Sequence, residues 1–252
     1  MRLTRLTTCV ATFVALTGVA TTRADFTPVH TPPGSEADHR SIFEAFYSPG
    51  TAWYTLGSRT DAEGNLVDLT NGALVATRVH DWGFGGVLDA QSLFFGEVDD
   101  QSWTAGELTV AAVARYAGYT QEFGYDLDGD ELGYVQLFEL SGNHMGVSGA
   151  GTLELNLGDT LAWMRDGNHG GRWSSRIADN SDDRDHMVTY HVSGMNDDLA
   201  RWMLFWEDLP NGGDLDYNDL AVEVTAQVPE PGTGTTIVLA CGVLALLRRR
   251  AL

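Results

Sequence analysis

Apolar and polar positions trade places at short intervals along most of this chain. Leu153, Leu155 and Leu157 alternate with Thr152, Glu154 and Asn156, the period of a half-buried strand. Val188, Tyr190 and Val192 repeat that pattern, as do Leu220, Val222 and Val224. Trp202 to Trp206 is apolar throughout, which suits a strand covered on both faces. Glu107 to Tyr116 is compatible with strand or helix, while Ser41 to Tyr47 has the apolar spacing of one short helix. Turn signals separate the runs: Pro49-Gly50, Asn71-Gly72, Gly85-Gly86, Asp128-Gly129, Gly170-Gly171 and Asn211-Gly212-Gly213. The pattern predicts an all-β chain, an antiparallel β-sandwich or jelly-roll-like single domain over 41–227. A stretch rich in Pro, Gly and charge precedes it and reads as a flexible arm at 25–40.

The two ends have a different character. Arg2 and Arg5 precede a short apolar run from Cys9 to Ala20, and Thr22-Arg23-Ala24 supplies small residues at the positions a signal peptidase reads. Residues 1–24 are therefore expected to be a signal peptide cleaved after Ala24. The alternative, a membrane anchor, would need a longer apolar run. At the other end Pro229-Glu230-Pro231 is followed by an uncharged stretch reaching Leu247 and then by Arg248, Arg249 and Arg250. The stretch 233–247 reads as a marginal transmembrane helix, and the arginines as the cytoplasmic stop that leaves the bulk of the protein outside. A permanent anchor is the alternative here.

A Pro-Glu-Pro motif, a short apolar helix and a terminal arginine cluster, in that order, resemble the PEP-CTERM sorting signal of bacterial exopolysaccharide producers. The resemblance covers 228–252. It implies that exosortase, a membrane protease, cuts near 229–231 after a transient stay in the inner membrane. The protein is then released to the cell surface or extracellular matrix.

Charge and cysteine usage fit an exported domain. Cys9 and Cys241 are the only cysteines, both in segments expected to be removed, so no disulfide staples the remainder. All 35 acidic residues lie between Asp25 and Pro231, whereas six of the 15 basic residues lie outside that span. Such an excess argues against nucleic acid and anionic membrane surfaces as partners and favours divalent cations.

The densest acidic stretch is Phe205 to Asp219, FWEDLPNGGDLDYND. Two predicted strands flank a turn carrying Glu207, Asp208, Asp214, Asp216, Asn218 and Asp219. Calcium takes six to eight oxygen ligands of these kinds. Asp214, Asp216 and Asn218 stand at alternate positions and can converge on one side, with Asp208 closing the shell from the preceding strand. An ordinary hairpin turn is the alternative, since Asp, Asn and Gly favour turns for backbone reasons alone.

The span 205–224, FWEDLPNGGDLDYNDLAVEV, resembles a domain of unknown function at the end of many bacterial surface and PEP-CTERM proteins. That family's signature reads like FEDL…GGDxDYNDLVVEV. The resemblance implies a β-rich extracellular module presumed to bind calcium, with no established catalysis. Asp126-Leu127-Asp128-Gly129-Asp130 mimics the start of an EF-hand loop but has Glu131 and Leu137 at its sixth and twelfth positions, so a solvated turn is expected. Asp179 to Asp185 is expected to be a solvated loop as well.

No HExxH, G-x-S-x-G, P-loop or strand-linked GxGxxG occurs. His169, His186 and His191 would bind a transition metal only if they met in space. Paired carboxylates of the kind a glycosidase uses arise readily among so many acids. The sequence thus predicts a non-enzymatic, calcium-binding surface or matrix protein with a structural or adhesive role. Its expected partners are exosortase and signal peptidase during export, then extracellular polysaccharide or surface proteins. A lectin-like module is the alternative, with Tyr54, Trp82, Trp103, Trp163 and Trp173 as candidate sugar platforms; a glycosidase ranks below both.

Overall fold

The computed structural model describes residues 27–49, 74–79, 100–103, 107–127, 133–142, 149–154, 160–167, 171–195 and 198–227 in full, together with the backbone of four short strands. Ala24, Pro229, Glu230, Pro231, Arg248, Arg249 and Arg250 lie outside the described residues. Among the described residues no helix is long and apolar enough to cross a membrane.

Among the described residues the chain is all-β with little helix. One helix, α1 (His39–Tyr47), opens it, and its amide at Ser41 is capped by the Asp38 carboxylate. The strands that follow are β1 (Trp53–Thr55), β2 (Leu66–Asp68), β3 (Val75–Arg78), β4 (Val87–Leu88) and β5 (Ser102–Trp103). Next come β6 (Glu107–Arg115), β7 (Gln121–Asp126), β8 (Val135–Leu140), β9 (His144–Met145) and β10 (Ala150–Glu154). The last are β11 (Ala162–Gly167), β12 (Trp173–Ser174), β13 (Met187–Ser193), β14 (Leu199–Trp206) and β15 (Leu220–Gln227). Glu107 to Arg115, ambiguous in sequence, is strand because both of its edges are paired, to β10 and β15.

The strands form a large antiparallel sheet, in the order β1-β2-β3-β13-β14-β15-β6-β10, and a smaller antiparallel one, β12-β11-β7-β8. β4 and β5 pair in parallel. The two larger sheets pack over one core, to which β14 and β15 send Trp202, Leu204, Trp206, Val222 and Val224. Phe123, Phe138, Trp163 and Trp173 meet them from the smaller sheet. The opposite face of β14 carries Met203 and Phe205, which α1 covers with Ile42 and Phe43. Burial on both faces is what the uninterrupted apolar run 202–206 requires.

Two segments make bonds that their composition does not announce. The described part of the segment read as an arm is a strap: His30 donates its main-chain amide to Leu215 O (2.7 Å), and Thr27 bonds Asp185. At its end His39 bonds Tyr217 O (3.3 Å), and Ala37 O accepts from Asn218 Nδ2 (3.1 Å). Prolines and glycine loosen a free chain but do not stop main-chain groups from finding partners on a neighbouring loop. Asp179 to Asp185 is a largely exposed loop, as its composition predicts, and also a bracket. Buried Asn180 bonds Ser174 and Arg184, and Asp182 accepts from the Asn211 amide (2.6 Å) and from His186 (3.0 Å).

Candidate metal centre

The hairpin register builds the site. β14 and β15 pair until Trp206 faces Leu220, so Glu207 and Asp219 leave the sheet side by side. The connection between them turns sharply: φ is positive at Asn211 (61°), Gly213 (48°), Leu215 (64°) and Tyr217 (55°). Leu215 and Tyr217 pay a steric cost there, of order 1 kcal/mol each, because left-handed backbone crowds a Cβ. Their surroundings hold them in place. Tyr217 is fully buried, donates its hydroxyl to Asp185 O (3.0 Å) and offers its carbonyl to His39. Leu215 is bonded at both main-chain groups, to Gly212 O and from His30.

This curl brings carboxylates together in two triads that share Glu207. One consists of Glu207, Asp214 and Asp216; the other of Glu207, Asp208 and Asp219. Within each triad one oxygen per residue lies within 4.8 Å of the others. Either group has the donors to hold a metal ion. Asp214 is exposed, whereas Glu207, Asp208 and Asp216 are buried.

Three buried oxygens of the loop have no hydrogen-bond partner: Glu207 Oε2, Asp216 Oδ2 and Asn218 Oδ1. Unpartnered buried carboxylate oxygens are costly unless a cation faces them. Burial, opposed in part by bonds from Asp219 and the Leu209 amide, pushes the Glu207 carboxyl upward, and Asp214 and Asp216 add to it. Asp219, in a side-chain hydrogen bond with Glu207, is likewise raised by burial and then by Asp208 and Glu207. Asp216 is pushed up to about 6, first by burial and then by Asp214, Glu36 and Asp208. The loop therefore holds more negative charge than its own surroundings stabilise.

Residues 158–227 match the family described as Domain of unknown function (DUF4114). The matched span runs from just before β11 to the end of β15 and takes in the whole acidic loop. No curated protein matches the chain in sequence. Among solved structures, a mannose-binding lectin of Ralstonia solanacearum is 21% identical with a TM-score of 0.35, covering 51% of this chain and 96% of its own. The C-terminal domain of a Burkholderia cenocepacia lectin is 18% identical with a TM-score of 0.35, covering 50% and 94%. A Chromobacterium violaceum lectin in complex with α-methyl-fucoside is 18% identical with a TM-score of 0.33, covering 51% and 96%. A likeness of that size fixes neither the arrangement of this chain nor any ligand.

All six acidic or amide residues singled out in sequence fall on this loop, but Asp208 does not face Asp214 and Asp216 as the spacing suggested. Its Oδ2 accepts from Gln121 Nε2 (2.7 Å) and lies 3.6 Å from Arg165 Nη2, because β7 and β11 end against it. Gln121, Arg165 and the buried Arg115 were not foreseen; the one signal in sequence is a lone arginine following the apolar Ala162-Trp163-Met164. His186 stacks on Trp173 (3.8 Å, 1°) and bonds Asp182 and Glu207 O. His169 is outside the described residues, and neither His186 nor His191 belongs to a metal-capable group among them. Of the proposed sugar platforms, Trp103, Trp163 and Trp173 are core residues, two of them in a T-shaped contact at 5.8 Å. The Tyr54 side chain and Trp82 lie outside the described residues, as do 128–131 of the other acidic cluster.

Proposed function

We propose that this is an exported, non-enzymatic, calcium-binding module with a structural or adhesive role at the cell surface or in an exopolysaccharide matrix. The observation that carries the reading is the group of buried, unpartnered oxygens on Glu207, Asp216 and Asn218 beside the Glu207–Asp214–Asp216 triad. The donors are carboxylates and an amide, without sulfur or imidazole, which favours a hard cation such as calcium over zinc or copper. An ion there ties the start of the loop to its middle and staples one end of a sandwich whose described residues contain no cysteine. Calorimetric calcium titration of the protein tests this, beside an Asp214→Ala/Asp216→Ala double variant. Saturable binding in the first and none in the second is expected; no binding in either overturns it.

Export follows the terminal segments: signal peptidase after Ala24, exosortase near Pro229, Glu230 and Pro231, with Arg248, Arg249 and Arg250 holding 233–247 in the inner membrane until cleavage. The released protein should end near 229–231 by mass spectrometry, and a Glu230→Ala chain should stay membrane-bound.

The exposure of Asp214 favours one second reading, in which an ion held by the loop keeps a coordination position open for a glycan. Chelator-sensitive binding on a glycan array supports it, and chelator-insensitive or absent binding removes it.

A further inference from the structure

We propose that the guanidinium of Arg165 occupies the position of a second cation, so that the acidic loop takes one divalent ion, on the Glu207–Asp214–Asp216 side alone. This rests on the calcium reading above and specifies it.

The two triads look alike in composition and differ in what surrounds them. On the Asp214 side Asp216 Oδ2 has no partner, and neither has Oε2 of Glu207, the residue both triads share. On the Asp208 side one oxygen each of Asp208 and Asp219 accepts from an N–H donor, a group that cannot ligate a cation. Gln121 Nε2 donates to Asp208 Oδ2 (2.7 Å), and the Asp208 amide donates to Asp219 Oδ2 (2.7 Å). Arg165 reaches in from β11, fully buried, with Nη2 3.6 Å from Asp208 Oδ2 and Nη1 donating to Asp208 O (3.2 Å). Its Nε donates to Gln121 Oε1, so the glutamine that bonds the aspartate also fixes the arginine. Trp173 Nε1 closes on the same Asp208 carbonyl (2.9 Å). An ion bound among Glu207, Asp208 and Asp219 would face this guanidinium in the buried interior, where like charges repel strongly. Arginine suits the position because Gln121 Oε1, Gly171 O and Asp208 O hold Nε and Nη1 of its planar fork, while Nη2, with no hydrogen-bond partner of its own, contributes charge beside the Asp208 carboxylate.

Ion counting by native mass spectrometry on the whole chain, with calcium added, tests the assignment. One calcium per chain is expected in the wild type, retained in Asp208→Asn and lost in Asp216→Asn. Arg165→Met, if folded by circular dichroism, is expected to take a second calcium; should it not fold, Arg165→Lys is expected to stay at one. Two ions on the wild type overturn the role of Arg165 and leave the calcium reading intact. Loss of the ion in Asp208→Asn, a folded Arg165→Met that stays at one ion, or an Arg165→Lys that takes two also overturns the role. No ion on the wild type overturns the calcium reading and this assignment with it.

Discussion

Gly213 lies directly against the carboxylate of Glu207: a Cβ placed on it would stand 2.6 Å from Glu207 Cδ. Its φ of 48° already disfavours a side chain. Gly213→Ala is therefore expected to push the Glu207 carboxylate out of the triad and to cost roughly 1–3 kcal/mol. Calcium affinity should fall at least tenfold while the far-ultraviolet spectrum is kept. A variant with wild-type affinity would show that Glu207 is not a ligand.

Asp216 presents a conflict between stability and binding. Burial raises its carboxyl from 3.8 to about 6, so the cost of keeping it ionised is absent below 3.8 and complete above about 6. At pH 7.5 without calcium, Asp216→Asn is expected to stabilise the protein by roughly 1–3 kcal/mol. With calcium the order should reverse, since the wild type gains the ion and the variant does not. Urea melts of both proteins with and without calcium decide it, and an ion-free variant less stable than the wild type would refute the account.

His39 acts in the opposite direction with pH. Burial, helped by the nearby Arg78, lowers its ring to about 3, while the unfolded ring titrates at 6.5. Above 6.5 neither state is protonated and the full stability is present. As pH falls below 6.5 the unfolded chain takes up a proton that the folded chain refuses, at about 1.4 kcal/mol per unit. Between pH 7.5 and 5.0, in the absence of calcium, His39→Gln should lose about 2 kcal/mol less than the wild type. Equal losses would show that the ring is protonated in the folded state.

The strap gives a readout of the loop. Because His30 donates to Leu215 O and Ala37 accepts from Asn218, ion binding that stiffens 214–218 should slow hydrogen exchange across 27–38. Exchange mass spectrometry with calcium and with chelator measures this. Equal exchange at saturating calcium would mean that strap and loop are uncoupled.

Much of this architecture is legible in the sequence, and the reasons are local. The run 202–206 announces a doubly covered strand, the alternation at 220–224 its partner, and the spacing over 41–47 the helix, which the structure extends back to His39. The acidic loop is legible because its residues lie close together in the chain. Its division into two halves is not, since Gln121 and Arg165 arrive from another sheet through register and packing. Nor is the strap, in which Ala37 O meets Asn218 across 181 positions and the His30 ring meets Asp214 O across 184. The left-handed backbone at Leu215 and Tyr217 escapes a sequence reading because neither residue type favours it.

Those distant partners also fix the order of events in the life of the chain. Residues 27–39 are made long before 214–218, so the bonds between strap and loop cannot form until almost the entire domain has been synthesised. A product truncated before residue 214 would carry the strap but neither Asp214 nor Asp216. Capture of the ion would then mark completion, separating a finished molecule from a fragment.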